Sequence, residues 1–184
     1  MDNKLLLAFV GMPGSGKSEA TSYFAKKNIP YVRFGDVTED ELLARNLSVN
    51  AQNEQHIRED LRKKFGMDIY AVRSRQKIED MLSTNRVVGI DGLYSWEEYV
   101  YLKKLFPFLT LITLYAKPSV RYERLAKRSV RPFTKEQAQT RDITEIENLN
   151  KGGPIAISDY VIVNNSTKEE LHKKLEELAK EFEL

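Results

Sequence analysis

Apolar residues fall along the chain in short continuous runs, with little strict alternation. Five runs stand out: "LLLAFV" (5–10), "YVRF" (31–34), "RVVGID" (86–91), "TLITLY" (110–115) and "YVIVN" (160–164). Such runs suit strands covered on both faces, as in a parallel sheet. Mixed polar and apolar stretches of helical period separate them, "SEATSYFAKK" (18–27) among them. The last stretch is the clearest. Thr167 and Glu170 have capping-box spacing, and Leu171, Leu175, Leu178 and Phe182 recur on one helical face. Strand and helix alternate, which predicts an α/β fold with a doubly wound five-stranded parallel sheet.

Two intervals exceed what a crossover needs. Residues 35–84 have room for three helices, with Gly66 ending one and Asp68 starting the next. Residues 129–153 precede the fifth run and end in "KGGP". Ligands of open α/β sheets bind beyond the carboxyl ends of the strands. The first interval is therefore expected to be an acceptor-binding insertion and the second a closing lid. No linker, repeat or low-complexity segment is visible, and 184 residues suit a single domain over 1–184.

"GMPGSGKS" (11–18) follows the first run directly. Gly11, Gly16, Lys17 and Ser18 fit G-x-x-x-x-G-K-[ST], the P-loop. Phosphates are dense negative charge, and converging backbone N–H groups can hold them if no side chains intrude. Glycine permits that approach. The helix that follows offers free N–H groups and its positive dipole end. The donor-binding set is then Gly11, Gly14, Ser15, Gly16, Lys17, Ser18 and Glu19. Lys17 would reach the β- and γ-phosphates of ATP, and the Ser18 hydroxyl would ligate Mg²⁺.

"RVVGIDG" ends a strand in an acid. Asp91 is a candidate Walker-B aspartate for Mg²⁺, with a turn-capping role as the alternative. Its neighbour is Gly92, where many ATP hydrolases carry a water-activating acid, which favours transfer to a bound acceptor. In "KPSVRYERLAKRSVR" (117–131), Arg121, Arg124, Arg128 and Arg131 are spaced 3, 4 and 3. On one continuous helix they would fall within about 80° of arc. Arginines neutralise the charge spread over a transferring phosphoryl group. Arg141 would return from the lid as a further donor. The catalytic candidates are thus Lys17, Asp91, Arg128 and Arg141, with Arg124 and Arg128 also on the nucleotide. Asn164 and Asn165 suit either an adenine pocket or a turn. His56 and His172 are isolated on polar helix faces, and Trp96 has the place of a packing residue.

Composition narrows the class. Charged residues make up 30% and hydrophobic residues 41%, with net charge +2 and no long basic run, which argues against a nucleic-acid partner. There is no cysteine, so disulfides, thiolate metal sites and cysteine catalysis are excluded. No signal pattern or membrane-length apolar run appears, so a cytoplasmic protein with no membrane partner is expected. Oligomeric state is left open.

The P-loop on the first strand, "GD" after the second, "DG" after the third, P-x-x-R-x-x-R-L-x-x-R after the fourth and "SDYVIVNN" at the fifth together resemble the nucleoside monophosphate kinase superfamily. Adenylate-kinase-related and dephospho-coenzyme-A-kinase-like proteins are the most similar members. The resemblance covers nearly the whole chain. It implies a five-stranded parallel sheet, an acceptor-binding helical subdomain and a lid. It also implies ATP and Mg²⁺ as cofactors and a nucleotide-like small-molecule acceptor. Arg124 and Arg128 match lid-base arginines, Arg141 matches a lid arginine, and Gly35 and Asp36 match the start of the acceptor subdomain. Adenylate kinases read G-D-x-x-R and D-G-x-P-R, with both arginines on the acceptor phosphate. Here Glu39 and Ser95 stand at those positions. The acceptor set is therefore Asp36, Gly92 and three arginines of the insertion, Arg45, Arg58 and Arg62. Arg58 and Arg62 are i and i+4 and could clamp one phosphate. Two other readings stay open. One is a kinase of a metabolite hydroxyl, of which dephospho-coenzyme A is a case. The other is a non-transferring ATPase switch. A guanine-nucleotide switch would need N-K-x-D, and the nearest string is "NKGG" (150–153).

Overall fold

A computed structural model describes residues 4–129 and 132–184. Five strands form one parallel sheet in the order β2-β3-β1-β4-β5. They are β1 (Leu5–Val10), β2 (Tyr31–Arg33), β3 (Val87–Asp91), β4 (Leu109–Tyr115) and β5 (Tyr160–Val163). Each lies within one or two residues of an apolar run, as expected when continuous apolar sequence marks burial on both faces. The alternation inside β1 sorts its side chains between two cores. Leu6, Ala8 and Val10 face the cluster built with α2 (Gly35–Ala44), α3 (Ala51–Phe65), α4 (Ile69–Thr84) and α5 (Trp96–Leu105). Leu7 and Phe9 face the cluster built with α1 (Lys17–Ala25) and α9 (Lys168–Glu181).

The 35–84 insertion contains three helices, α2, α3 and α4. Gly66 ends α3 at φ 101°, and its N–H donates to the Arg62 carbonyl at 3.0 Å. Asp68 precedes α4 without a side-chain cap bond. Thr167 caps α9, its hydroxyl accepting from the Glu170 N–H at 3.4 Å. Leu171, Leu175 and Leu178 of α9 are buried, and Phe182 lies edge-on to Tyr160 with ring centres 5.2 Å apart.

The fourth crossover departs from expectation. α6 (Pro118–Ala126) stops before Arg128, so the four arginines do not share a helix face. Arg131 lies outside the described residues. Pro132 bars any helix from running on through that position. It has no N–H for a helical bond and biases the residue before it away from the helical region. The chain then forms α7 (Lys135–Glu147), opened by a full capping box between Thr134 and Gln137, and the short α8 (Gly152–Ala156). Among the described residues no helix is long and apolar enough to cross a membrane.

Candidate active site

β1 delivers the phosphate loop to the carboxyl edge of the sheet at its centre, and β3 and β4 flank it. Gly14 and Gly16 take positive φ, 79° and 109°. A Cβ at Gly16 would fall 2.4 Å from the Asn164 amide nitrogen, and one at Gly11 would fall 2.4 Å from the Leu114 carbonyl oxygen. The loop is thus pressed from both sides by β4 and the end of β5, and only glycine fits. Asn164 holds it there by donating from its side chain to the Ser15 carbonyl at 2.8 Å. The structure therefore gives Asn164 a role that neither expectation named, bracing the loop. Asn165 serves neither expected role: its side chain accepts from the Lys117 N–H at 2.8 Å and ties the chain after β5 to the start of α6.

Lys17 folds over this loop and donates to the carbonyls of Gly11 and Met12 at 2.7 and 3.1 Å. Burial pushes its pKa down to about 7, helped by Lys151 and Arg128 and opposed by Glu145 and Asp91. An ammonium gathered among these charges gains from a bound polyphosphate. The Ser15 hydroxyl is buried with no hydrogen-bond partner among the described residues. An orphan hydroxyl, a cradle free of Cβ atoms and an inward-turned lysine together fit a nucleotide phosphate chain. Asp91 ends β3 beside the loop. Burial raises its pKa, against the pull of Arg33 and Lys17. Among the described residues no group of three or more acids or histidines is gathered for a metal. Ser18, which is exposed, and Asp91 could hold Mg²⁺ only together with ligand oxygens, as is usual for that ion.

Two adjoining cavities open at this side of the sheet, the smaller one bordered by the end of β3. A chamber of about 310 Å³ is lined in part by Asp91, Gly92, Arg33, Glu39, Thr38 and Tyr70. A cleft of about 640 Å³ separates α3 from α7 and is lined by residues including Arg141 and Glu145. Arg58, Arg62 and Tyr94 line both. Arg62 is only 9% exposed. It lies 4.7 Å from the Tyr70 ring centre and 3.5 Å from the buried Glu98 carboxylate, and its Nε has no partner among the described residues. The Glu98 pKa is raised by burial, which the Arg62 guanidinium and the backbone N–H groups of Tyr94 and Ser95 counter. The Arg58 and Arg62 pair of the sequence reading therefore reaches the cavities, and Arg141 faces them across the cleft.

Other expected site residues are placed differently. Arg45 is engaged by Glu41 at 2.7 Å and Asp60 at 2.8 Å, tying α2 to α3 away from both cavities. Asp36 pairs with Lys77 at 2.6 Å. Glu19 bridges α1 to α9 through Lys168 at 2.9 Å and His172 at 2.6 Å, so His172 is not isolated. Trp96 packs on Tyr99. Arg124 donates to the carbonyls of Asn164 and Ser166, both at 2.9 Å, and braces the chain after β5. Arg128 lies exposed beyond α6, near enough to lower the Lys17 pKa. Arg121 is buried. It grips Asp142 of α7 with two bonds of 2.8 and 2.5 Å and donates to the P-loop carbonyl of Pro13 at 3.1 Å. The sequence reading missed Arg33, Tyr94, Asp142, Glu145 and Lys151. Arg33 at the carboxyl end of the second strand was the one legible from position alone. The others depend on how the lid packs.

A family model described as an AAA domain matches residues 7–150. A UPF0200 protein of Thermococcus onnurineus (strain NA1) is 33% identical over 182 residues, covering 97% of this chain and 98% of the relative. One from Methanocaldococcus jannaschii is 34% identical over 180 residues, covering 97% and 90%. The chain belongs to the UPF0200 family of P-loop proteins. Solved structures add the fold. A shikimate kinase from Bacteroides thetaiotaomicron superposes with TM-score 0.62 at 13% identity, covering 98% of this chain and 99% of that one. A gluconokinase from Sinorhizobium meliloti gives TM-score 0.54 at 15% identity, covering 96% and 94%. The fold is that of P-loop kinases.

Proposed function

We propose that this protein transfers the γ-phosphoryl group of ATP to a nucleotide-like small-molecule acceptor bound in the paired cavities. The observation that carries the reading is the meeting of three elements at one sheet edge. The glycine loop and Lys17 come from β1, Asp91 from β3, and the arginines of α3 and α7 stand across from them. The loop and Lys17 would hold the donor phosphates. Mg²⁺, held by Ser18, Asp91 and phosphate oxygens, would neutralise charge and orient the donor. A phosphate of the acceptor needs charge-assisted partners, because a buried dianion without them is very costly. Arg58 and Arg62 supply them where the motif positions hold Glu39 and Ser95. Gly92, in place of an acid beside Asp91, favours transfer over hydrolysis.

A second reading has its own support. Glu39, Thr38 and Tyr70 line the smaller chamber beside Asp91. They suit hydroxyls better than a phosphate, and the two structural neighbours are by name kinases of hydroxyl-bearing metabolites.

An acceptor screen with Mg·ATP decides between them, using wild type and the double variant Arg58→Ala/Arg62→Ala. Wild type is expected to phosphorylate a nucleoside monophosphate, with the double variant raising its KM at least tenfold. Turnover only with hydroxyl acceptors selects the second reading. Nucleotide hydrolysis that no acceptor stimulates would leave an ATPase switch.

A further inference from the structure

The lid's return turn carries a group that the phosphate-binding motifs do not account for. Lysine is almost never fully buried unless it is paired. Lys151, which opens "KGGP", is only 2% exposed. Local features put it there. Asn150 adopts a left-handed backbone at φ 49°, and its side chain donates to Glu97 at 2.7 Å. The Lys151 N–H donates to the Glu145 carbonyl at 3.2 Å and closes the turn onto α7. Gly153 lies so close to Trp96 that a Cβ there would fall 2.6 Å from the indole. The ammonium then pairs with the Glu145 carboxylate and lies 4.4 Å from the Tyr94 ring centre.

Such a charge is retained only where its partners are well placed. Glu145 is held from both sides. One oxygen takes Lys151, and the other accepts from Arg141 Nε at 2.8 Å. Burial alone would raise the Glu145 pKa, yet Lys151 and Arg141 together hold it below the usual carboxylate value. It therefore stays ionised and can orient both cations. The Arg141 bond uses Nε, and among the described residues its terminal nitrogens have no hydrogen-bond partner and can meet an anion.

The chain of contacts runs from Tyr94, which lines both cavities, through Lys151 and Glu145 to Arg141 on the cleft wall. On its other side, Lys151 exerts the largest charge effect on the Lys17 ammonium. The relay thus links the wall of the acceptor cleft, through Arg141 and Tyr94, to a cation near enough to act on Lys17 of the donor loop. We propose that Lys151 is a positioning residue for phosphoryl transfer, which through Glu145 aims Arg141 at the terminal phosphoryl group of the donor. The proposal rests on the donor reading above.

The test is calorimetric titration of Mg·ADP and of Mg·AMP-PNP, a non-hydrolysable ATP analogue. The proteins are wild type, Lys151→Met, Lys151→Arg, Arg141→Ala and Lys151→Met/Arg141→Ala. Lys151→Met is expected to weaken the analogue about tenfold and ADP less than about twofold, since ADP lacks the group addressed. Lys151→Arg keeps most of the analogue affinity. The double variant binds the analogue no more weakly than Arg141→Ala alone, because both changes remove one interaction. A merely structural role would lower both nucleotides together, and that result overturns the proposal. Additive losses, or wild-type binding by Lys151→Met, also overturn it. If Lys151→Met fails to fold, Lys151→Met/Glu145→Gln leaves no unpaired buried charge and must show the same selective loss. Wild type binding neither nucleotide would bring down the donor reading, and this proposal with it. Wild type binding both while the variants keep its selectivity would bring down this proposal alone.

Discussion

Lys17 shows how one side chain carries both a cost and a function. Its ammonium titrates near 7 in the folded protein and at 10.5 as the ordinary value. Between those values the unfolded chain binds a proton that the native chain has lost, so stability attributable to Lys17 rises with pH across that window. Below about 7 the native state holds a buried charge. Lys17→Met should therefore stabilise the protein more at pH 6 than at pH 9, as measured by denaturant unfolding. An equal change at both pH values would contradict the burial argument. Phosphate selects the charged form, so AMP-PNP binding should take up a proton at pH 8, seen as a binding enthalpy that depends on the buffer. Lys17→Ala and Ser18→Ala should leave the fold intact, because neither belongs to an apolar core, and, on the proposed function, lower Mg·ATP turnover about 10³-fold or more. Full turnover in Lys17→Ala would refute the P-loop assignment.

At the scale of elements, α7 is fastened to the loop it is expected to cover. Arg121 joins α6, the Pro13 carbonyl and Asp142 in one buried network, to which Tyr122 adds a bond to Asp142 at 2.9 Å. Removing one member leaves an uncompensated buried charge. Asp142→Ala should cost about 3–5 kcal/mol, while Arg121→Met/Asp142→Leu should recover most of it. Chemical denaturation of the three proteins would show this, and a double variant as unstable as Asp142→Ala would argue against it. Arginine spacing alone grouped Arg121 with Arg124, Arg128 and Arg131 as candidates for phosphate. Its partner lies 21 residues away on another helix, and no local pattern reveals that pair. The spacing also carried the helix on to Arg131, whereas α6 ends at Ala126.

For the whole molecule, the cleft between α3 and α7 sets the expected motion. Arg58 and Arg62 from the insertion and Arg141 from the lid line opposite walls of a cleft of about 640 Å³, each beside a carboxylate, and a bound anion would draw the two walls together. Bound Mg·AMP-PNP with an acceptor should therefore slow amide exchange in both α3 and the first turns of α7. The turn around Asp142, already anchored, should change little. Unchanged exchange in both helices would exclude closure.

The sequence by itself determined the sheet, its helices and the phosphate loop. Apolar runs, helical period and the P-loop glycines express local backbone and burial requirements, which adjacent residues must satisfy together. It also marked Arg58 and Arg62, whose i, i+4 spacing is a local property. Only the tertiary structure decided which charges meet. Arg45 was drawn to Asp60, Glu19 to His172 and Arg121 to Asp142, and Lys151 was buried against Glu145 and Tyr94. A long charged side chain has no periodic signature of its destination. The cost of burying it is met by whichever opposite charge the packed elements bring near, and that choice is made when helices dock.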